Sequence, residues 1–506
     1  MQIITERETR RDAPLEMEPA VFRELGHRLV DRIARMMEEM PAGRVTRAET
    51  PGELQSLLGA GGLPDAGSPA DRLVEEAAEL LIGHSLFNGH PRFWGFITSS
   101  GAPIGALADL LAASVNPNVG GWILAPMASE IERQTVRWIG QFIGYPDDAG
   151  GLLVSGGNMA NLVGFWVGRR VRSPWDLRTT GFDEFARPVC VYASRETHTW
   201  IQKAADLSGM GTNAIRWIDT DAHLRMDVSA LRAQIATDQA NGDLPMMVIG
   251  TAGSVSTGAI DQLEEIAAVC REHQLWLHVD GAYGAPAAAL PDAPADLKAL
   301  RLADSVAVDP HKWLYAPLEA GCTLVRSPQL LRDTFSWHPS YYPEEEATGD
   351  QLPIFYHEFG PQNSRGFRAL KVWLAMRQAG RDGLVRMIRD DIDLARRMFD
   401  RANADPELEA FTHSLSIATF RFVPPDAGRV GGDDVEGYLD RLNREILARM
   451  QNGGEAFVSN AVIDGRFLLR ACVVNFRTTV DDVDALMQLV LRLGHEAHAD
   501  LAREEA

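Results

Sequence analysis

No stretch of this chain approaches the roughly 18 uncharged apolar residues needed to cross a bilayer. The leading residues MQIITERETRRDAP are charged and lack the apolar centre of a secretion signal. Neither a membrane partner nor export is expected, and a cytoplasmic location is. Cysteine is scarce: the four residues Cys190, Cys270, Cys322 and Cys472 are too scattered for a disulfide frame or a zinc site, and three sit inside apolar runs. No metal is expected. Positive charge is also short, with 49 basic residues against 70 acidic and a formal net charge of −21, so nucleic acid and anionic membrane are repelled. Internal repeats and low-complexity segments are missing. What remains is 506 residues, 45% hydrophobic and 24% charged, the balance of an ordinary globular protein of two or three domains.

Residues 1–97 read as a helical arm. Glu18 to Glu39 carries Val21, Leu25, Leu29, Val30, Ile33 and Met36 near helical spacing, Pro41 ends it, and Leu73 to Leu86 is a second amphipathic helix. An apolar stripe without a sheet of its own needs another surface, and a partner subunit would supply one. Residues 98–378 read as a large domain in which strand and helix alternate. Strands are expected at Gly151–Val154, Val189–Tyr192, Ala214–Ile218, Met246–Thr251, Leu275–Asp280, Ser305–Asp309 and Cys322–Val325, with helices such as Met159–Arg170 and Leu263–His273 between them. That alternation predicts a seven-stranded, mostly parallel sheet with helices on both faces. A long helix is expected from Ser364 to Gln378. Residues 379–506, with strands near 409–423 and 456–476 and helices beside them, read as a small α+β domain.

Several residues that can carry chemistry fall just after these strands, the side on which open α/β sheets bind ligands. Ser155-Gly156-Gly157-Asn158 opens a helix, where unpaired N–H groups favour a phosphate, although a Gly-Gly turn is often only a turn. It is neither GxGxxG nor a P-loop. His198, Ser254 in a hydroxyl-rich loop, and Asp280 at the end of a near-continuous apolar strand each have a bland reading: a structural imidazole, a loop, a helix cap. His311 and Lys312 follow the strand that Pro310 stops. Gly89 to Phe96, with Phe93 and Trp94, is a poor helix and a poor strand, and reads equally as a core-capping loop or a pocket wall.

Taken together, the phosphate turn, the histidine, the hydroxyl loop, the aspartate and the His-Lys pair are similar in order and context to those of fold type I pyridoxal-phosphate enzymes. His278-Val-Asp280-Gly-Ala282-Tyr and Asp309-Pro-His-Lys312-Trp resemble the group II amino-acid decarboxylases, as do His90-Pro-Arg-Phe93, Gly151–Asn161 and Arg365–Lys371; the likeness runs from about His90 to Leu374. The resemblance implies an α/β fold of that type, pyridoxal 5'-phosphate as cofactor, an L-amino acid as small-molecule substrate, and a homodimer with active sites at its interface. Lys312 would carry the cofactor covalently and Asp280 would hold the pyridine nitrogen protonated. His198 would stack on the ring, with Ala282 packed under it. Gly157 and Asn158 would hold the phosphate, with Ser254 and His311 nearby. Phe93, Trp94 and Ser364 would line the substrate pocket, and Tyr341 would protonate the substrate carbon after CO2 leaves. A serine at position 364 leans towards tyrosine-like substrates. Two departures weaken the phosphate assignments: Asn158-Met159 stands where Ser-Glu is common, and Asp309 where asparagine is frequent. An aldehyde synthase, another carbon–carbon lyase of the same fold and a catalytically silent scaffold are the rival readings.

Overall fold

The computed structural model describes residues 13–182, 187–337 and 353–504. Its larger sheet comprises β1 (Gly150–Val154), β2 (Val189–Ser194), β3 (Ile215–Ile218), β4 (Leu244–Thr251), β5 (Trp276–Asp280), β6 (Ser305–Val308) and β7 (Gly321–Val325). The seven expected strands are present within a residue or two at most of their ends. Their order is β1-β7-β6-β5-β4-β2-β3, with β2 to β6 pairing in parallel and β7 antiparallel to both of its neighbours.

Side chains of successive strand residues point to opposite faces, and here both faces are covered. Leu153, Tyr192, Val248, Leu277, Val279 and Val306 enter one apolar core, whereas Leu152, Val191, Met247, Ile249, Trp276 and Ala307 enter the other. Each fully buried aliphatic side chain stabilises this sandwich by about 2 kcal/mol. Double coverage explains why β5 and β6 look continuously apolar instead of alternating. Because β2, β4, β5 and β6 run in parallel, the residues that follow them share one edge.

The smaller sheet is antiparallel throughout, ordered β10-β11-β9-β8 from β8 (Leu408–Ser414), β9 (Ile417–Phe422), β10 (Ser459–Ile463) and β11 (Arg466–Cys472). The helices Val435–Gly453 and Val480–Glu504 pack on it through Tyr438, Leu442, Ile446, Leu486 and Val490. Among the described residues no helix is long and apolar enough to cross a membrane.

The long helix expected from Ser364 instead begins at Ala369 and continues to Ala404, kinked at Gly380, whose φ is +64°. The cause lies in Arg365, which is buried with its guanidinium on Glu132 and on the carbonyls of Val119 and Leu153. Leu153 N–H donates to Glu132 as well. This pairing draws the chain before Ala369 against β1 and delays the helix.

Candidate active site

Lys312 and Asp280 lie past or at the carboxyl ends of adjacent parallel strands: β5 ends in Asp280, which stands opposite Ala307 of β6. Pro310 cannot continue a strand ladder, so the chain leaves β6 and turns, with Lys312 N–H donating to Asp309 O at 2.9 Å. Lys312 Nζ lies 3.0 Å from Asp309 Oδ2. The Asp280 carboxylate is buried and held from two sides. Trp200 Nε1 donates to Oδ2 at 2.7 Å, and the Ala282 N–H to Oδ1 at 3.2 Å. Ala282 also accepts, through its carbonyl, from Asp309 N–H at 3.1 Å, so the loops after β5 and β6 are tied together.

His198 arrives from the loop after β2 and keeps its side chain open to solvent on one side. Protein packed around the ring lowers its pKa; the Asp280 charge opposes this and the Lys312 charge adds to it. Trp200 ties His198 to this edge of the sheet, its backbone N–H donating to His198 Nδ1 at 3.3 Å while its indole donates to Asp280. His311 is buried, its Nδ1 is 2.7 Å from the Ala320 carbonyl, and its pKa is lowered chiefly by burial, so the ring is neutral near pH 7.

Gly157 is the first residue of the helix Gly157–Arg172, after Gly156 at φ +94°, a backbone conformation that favours glycine. Gly321 of β7 passes so close that a Cβ there would stand 2.5 Å from the Gly156 backbone. The helix is anchored from beneath: His278 of β5 meets Asn161 Oδ1 at 2.8 Å through Nε2 and Ser305 Oγ at 2.7 Å through Nδ1. Gly164 leaves room for that imidazole, since a Cβ there would come within 2.6 Å of it. Asn158 is exposed at the helix start. Ser254 is buried, its hydroxyl 3.0 Å from Thr257 Oγ1 and accepting from Ala259 N–H at 3.2 Å, so its hydrogen bonds are made within its own turn.

Two expectations about the pocket wall need correction. Trp94 is fully buried in the core of the small domain, where Nε1 donates to Thr478 Oγ1 at 3.2 Å. Phe93 stacks on Phe457 with ring centroids 5.3 Å apart. Both aromatics pack beside the smaller sheet, and Phe96, 61% exposed, is the aromatic of that loop that faces outward. Ser364 is exposed beside the buried Arg365. Tyr341 lies outside the described residues.

Three supporting groups were not singled out by sequence reasoning. Trp200 orients Asp280, and only its position two residues after His198 hints at this. Trp313, next to Lys312, stacks on Tyr283 at 4.8 Å and donates to Asp391 at 2.8 Å. Asp391 also accepts from Tyr315 Oη at 2.5 Å, and burial pushes its pKa up to about 7. The long helix thereby grips the Lys312 loop.

A model of the pyridoxal-dependent decarboxylase conserved domain matches residues 51–422. The chain is 32% identical over 483 residues to an aromatic-L-amino-acid decarboxylase of Bacillus atrophaeus, covering 95% of this chain and 97% of that one. It is 27% identical over 465 residues to a phenylacetaldehyde synthase of a Rosa hybrid cultivar, covering 90% of each. The crystal structure of Oryza sativa TDC with PLP and tryptamine matches with a TM-score of 0.87 at 27% identity, over 96% of this chain and 99% of that one.

Proposed function

Because the chain belongs to the pyridoxal-dependent decarboxylase family, and is thus a pyridoxal-phosphate-dependent lyase, we propose that its substrate is a tyrosine-like aromatic L-amino acid and its products the amine and CO2. The observation that supports this reading is that His198 and Asp280 both bond to Trp200, while Lys312 follows the strand that pairs with the one ending in Asp280. The residues present suit the cofactor. The helix N-terminus that begins at Gly157 and Asn158 offers N–H groups to a phosphate, and two buried oxygens at the strand ends, Thr251 Oγ1 and Asp309 Oδ1, lack a hydrogen-bond partner.

Pyridoxal phosphate, when bound, supplies a conjugated cation that accepts the electron pair of the breaking Cα–carboxylate bond. Lys312 is the amine that would hold it, and until then its ammonium rests on Asp309. Asp280, fixed by Trp200 and Ala282, would keep a proton on the ring nitrogen. His198, uncharged near pH 7, would lie against the ring without repelling a cation. Tyr341 would return a proton to the substrate carbon. Gly157 and Asn158 would bind the phosphate, with Ser254 and His311 behind them, and Ser364 would contact the substrate ring.

We further propose a homodimer working in the cytoplasm, divided as 1–97 arm, 98–378 large domain and 379–506 small domain. Support for the compartment comes from four buried, unpaired thiols.

Incubation with pooled amino acids followed by product analysis names the substrate: tyramine accumulating ahead of other amines is expected, and an amine from a non-aromatic amino acid would contradict the reading. The similarity to a phenylacetaldehyde synthase favours a second outcome, an aldehyde. Tyr341→Phe separates the two. If Tyr341 donates the proton, the variant shifts product from amine to aldehyde; an unchanged amine yield would count against that role.

A further inference from the structure

The turn that carries Lys312 is closed by a strained residue. Lys312 N–H donates to Asp309 O at 2.9 Å, its carbonyl accepts from Tyr315 N–H at 3.1 Å, and Ala316 N–H reaches Pro310 O at 3.0 Å. Tyr315 sits at φ +55°, in the left-handed region that bulky side chains rarely adopt. Such a conformation persists only where the surroundings hold it. Here a carboxyl from outside the turn does so. Asp391, buried on the helix Ala369–Ala404, accepts on Oδ2 from Tyr315 Oη at 2.5 Å and from Trp313 Nε1 at 2.8 Å. Trp313, the residue after Lys312, is stacked on Tyr283 at 4.8 Å. Two side chains that follow Lys312 in the turn thus end on one oxygen.

The titratable groups that face Asp391 are Tyr315 on the turn, Cys472 at the end of β11 and Asp390 beside it on the helix. Burial raises the pKa of the phenol and the thiol, so both are neutral near pH 7. Burial also pushes Asp391 up to about 7, against the hydrogen bonds from Tyr315, Trp313 and the Asn475 backbone. Those bonds favour the charged form, and in return they tighten when the charge forms. We propose that Asp391 is a positioning residue for Lys312: as the carboxylate it draws in Trp313 and Tyr315 and keeps the turn in the shape from which the Lys312 amine reaches the cofactor aldehyde, and as the acid it holds that shape less firmly. One proton exchanged with solvent at the Asp391 carboxyl separates the two states. The joining itself turns the ammonium and the aldehyde into a protonated C=N bond and one water, so atoms and charge balance. This rests on Lys312 as the cofactor lysine, proposed above.

The test mixes cofactor-free wild type, Asp391→Asn, Tyr315→Phe and Lys312→Ala with pyridoxal 5'-phosphate between about pH 5.5 and 8.5. Tryptophan fluorescence follows the first, noncovalent encounter, and visible absorbance the covalent step. At the upper end Asp391→Asn should be slower than wild type in the covalent step by about tenfold, the scale of a small misplacement of a reacting group, with the encounter Kd within about twofold. The rate ratio should fall towards one at the lower end, passing its midpoint near pH 7. Tyr315→Phe, which removes one of the two bonds, should slow the step by a smaller factor. Equal rates, or a ratio that is the same at every pH, overturn the proposal. If Asp391→Asn does not fold, Tyr315→Phe decides: an unchanged covalent rate at the upper end contradicts it. A visible band in Lys312→Ala would remove the lysine assignment and the proposal with it, whereas no band there beside a flat Asp391→Asn ratio removes the positioning role alone.

Discussion

At the residue scale, the site depends on charges that are buried but not left unpartnered. Two N–H donors converge on the buried Asp280 carboxylate at the end of β5, and hydrogen bonds to a charged group contribute about 1.5–3 kcal/mol each. Asp280→Asn preserves the shape and removes the charge that would hold the ring nitrogen protonated. The variant should still take up pyridoxal phosphate yet lose roughly 10²-fold or more in kcat, the scale on which preorganised electrostatic groups act. Steady-state kinetics beside an absorbance titration checks this, and a kcat within a few-fold of wild type would contradict the role. Trp200 belongs to the same unit, since its indole fixes the carboxylate from the start of the helix Trp200–Leu207, which follows the loop that delivers His198.

At the scale of elements, the packing of β5 against the helix Gly157–Arg172 places the phosphate turn relative to Lys312, and His278 is its polar pin. Complete burial holds this imidazole down at about 4, against an ordinary value of 6.5. Between those values the unfolded chain binds a proton that the folded chain refuses. The contribution is therefore whole above pH 6.5 and is lost as pH falls towards 4, by ~3 kcal/mol. Asp261 and Asp391, buried acids raised to about 6 and 7, act in the opposite sense: their contributions are whole below the usual carboxylate range and fade as pH rises through those values. His278→Gln should lower the unfolding midpoint at neutral pH and lose the acid-side decline between pH 6.5 and 4. Thermal unfolding across that range measures it, and an unchanged slope would contradict the burial argument. Strands such as β5 and β6 were legible because a short apolar run bounded by glycine or proline has few other uses. Lys312, Asp280 and His198 were singled out because each ends or soon follows such a run. The start of the helix at Ala369 was not, since it depends on Arg365 meeting Glu132 across 233 residues. Nor was the burial of Trp94, whose partner Thr478 is 384 residues away, because an aromatic loop reads alike whether it lines a pocket or fills a core.

At the scale of the whole molecule, apolar surface remains uncovered. Leu107, Leu110 and Leu111 line one face of the helix Pro103–Val115, each at least half exposed, and Ile123, Leu124 and Met127 follow close in sequence, each more than 60% exposed. Patches of this kind mark interfaces, and the proposed homodimer would cover this one. Leu110→Asp should weaken self-association by about 10²-fold, as buried interface anchors do. Sedimentation velocity reads the outcome, and a wild-type dimer in the variant would place the interface elsewhere. Decarboxylation at Lys312 is tested most directly by giving the loaded enzyme L-tyrosine labelled with ¹³C in its carboxyl group, with Lys312→Ala as control. Labelled CO2 and tyramine in equal amounts from the wild type, and neither from the folded variant, is the predicted result. Label retained in a keto acid, or equal turnover by Lys312→Ala, would contradict it.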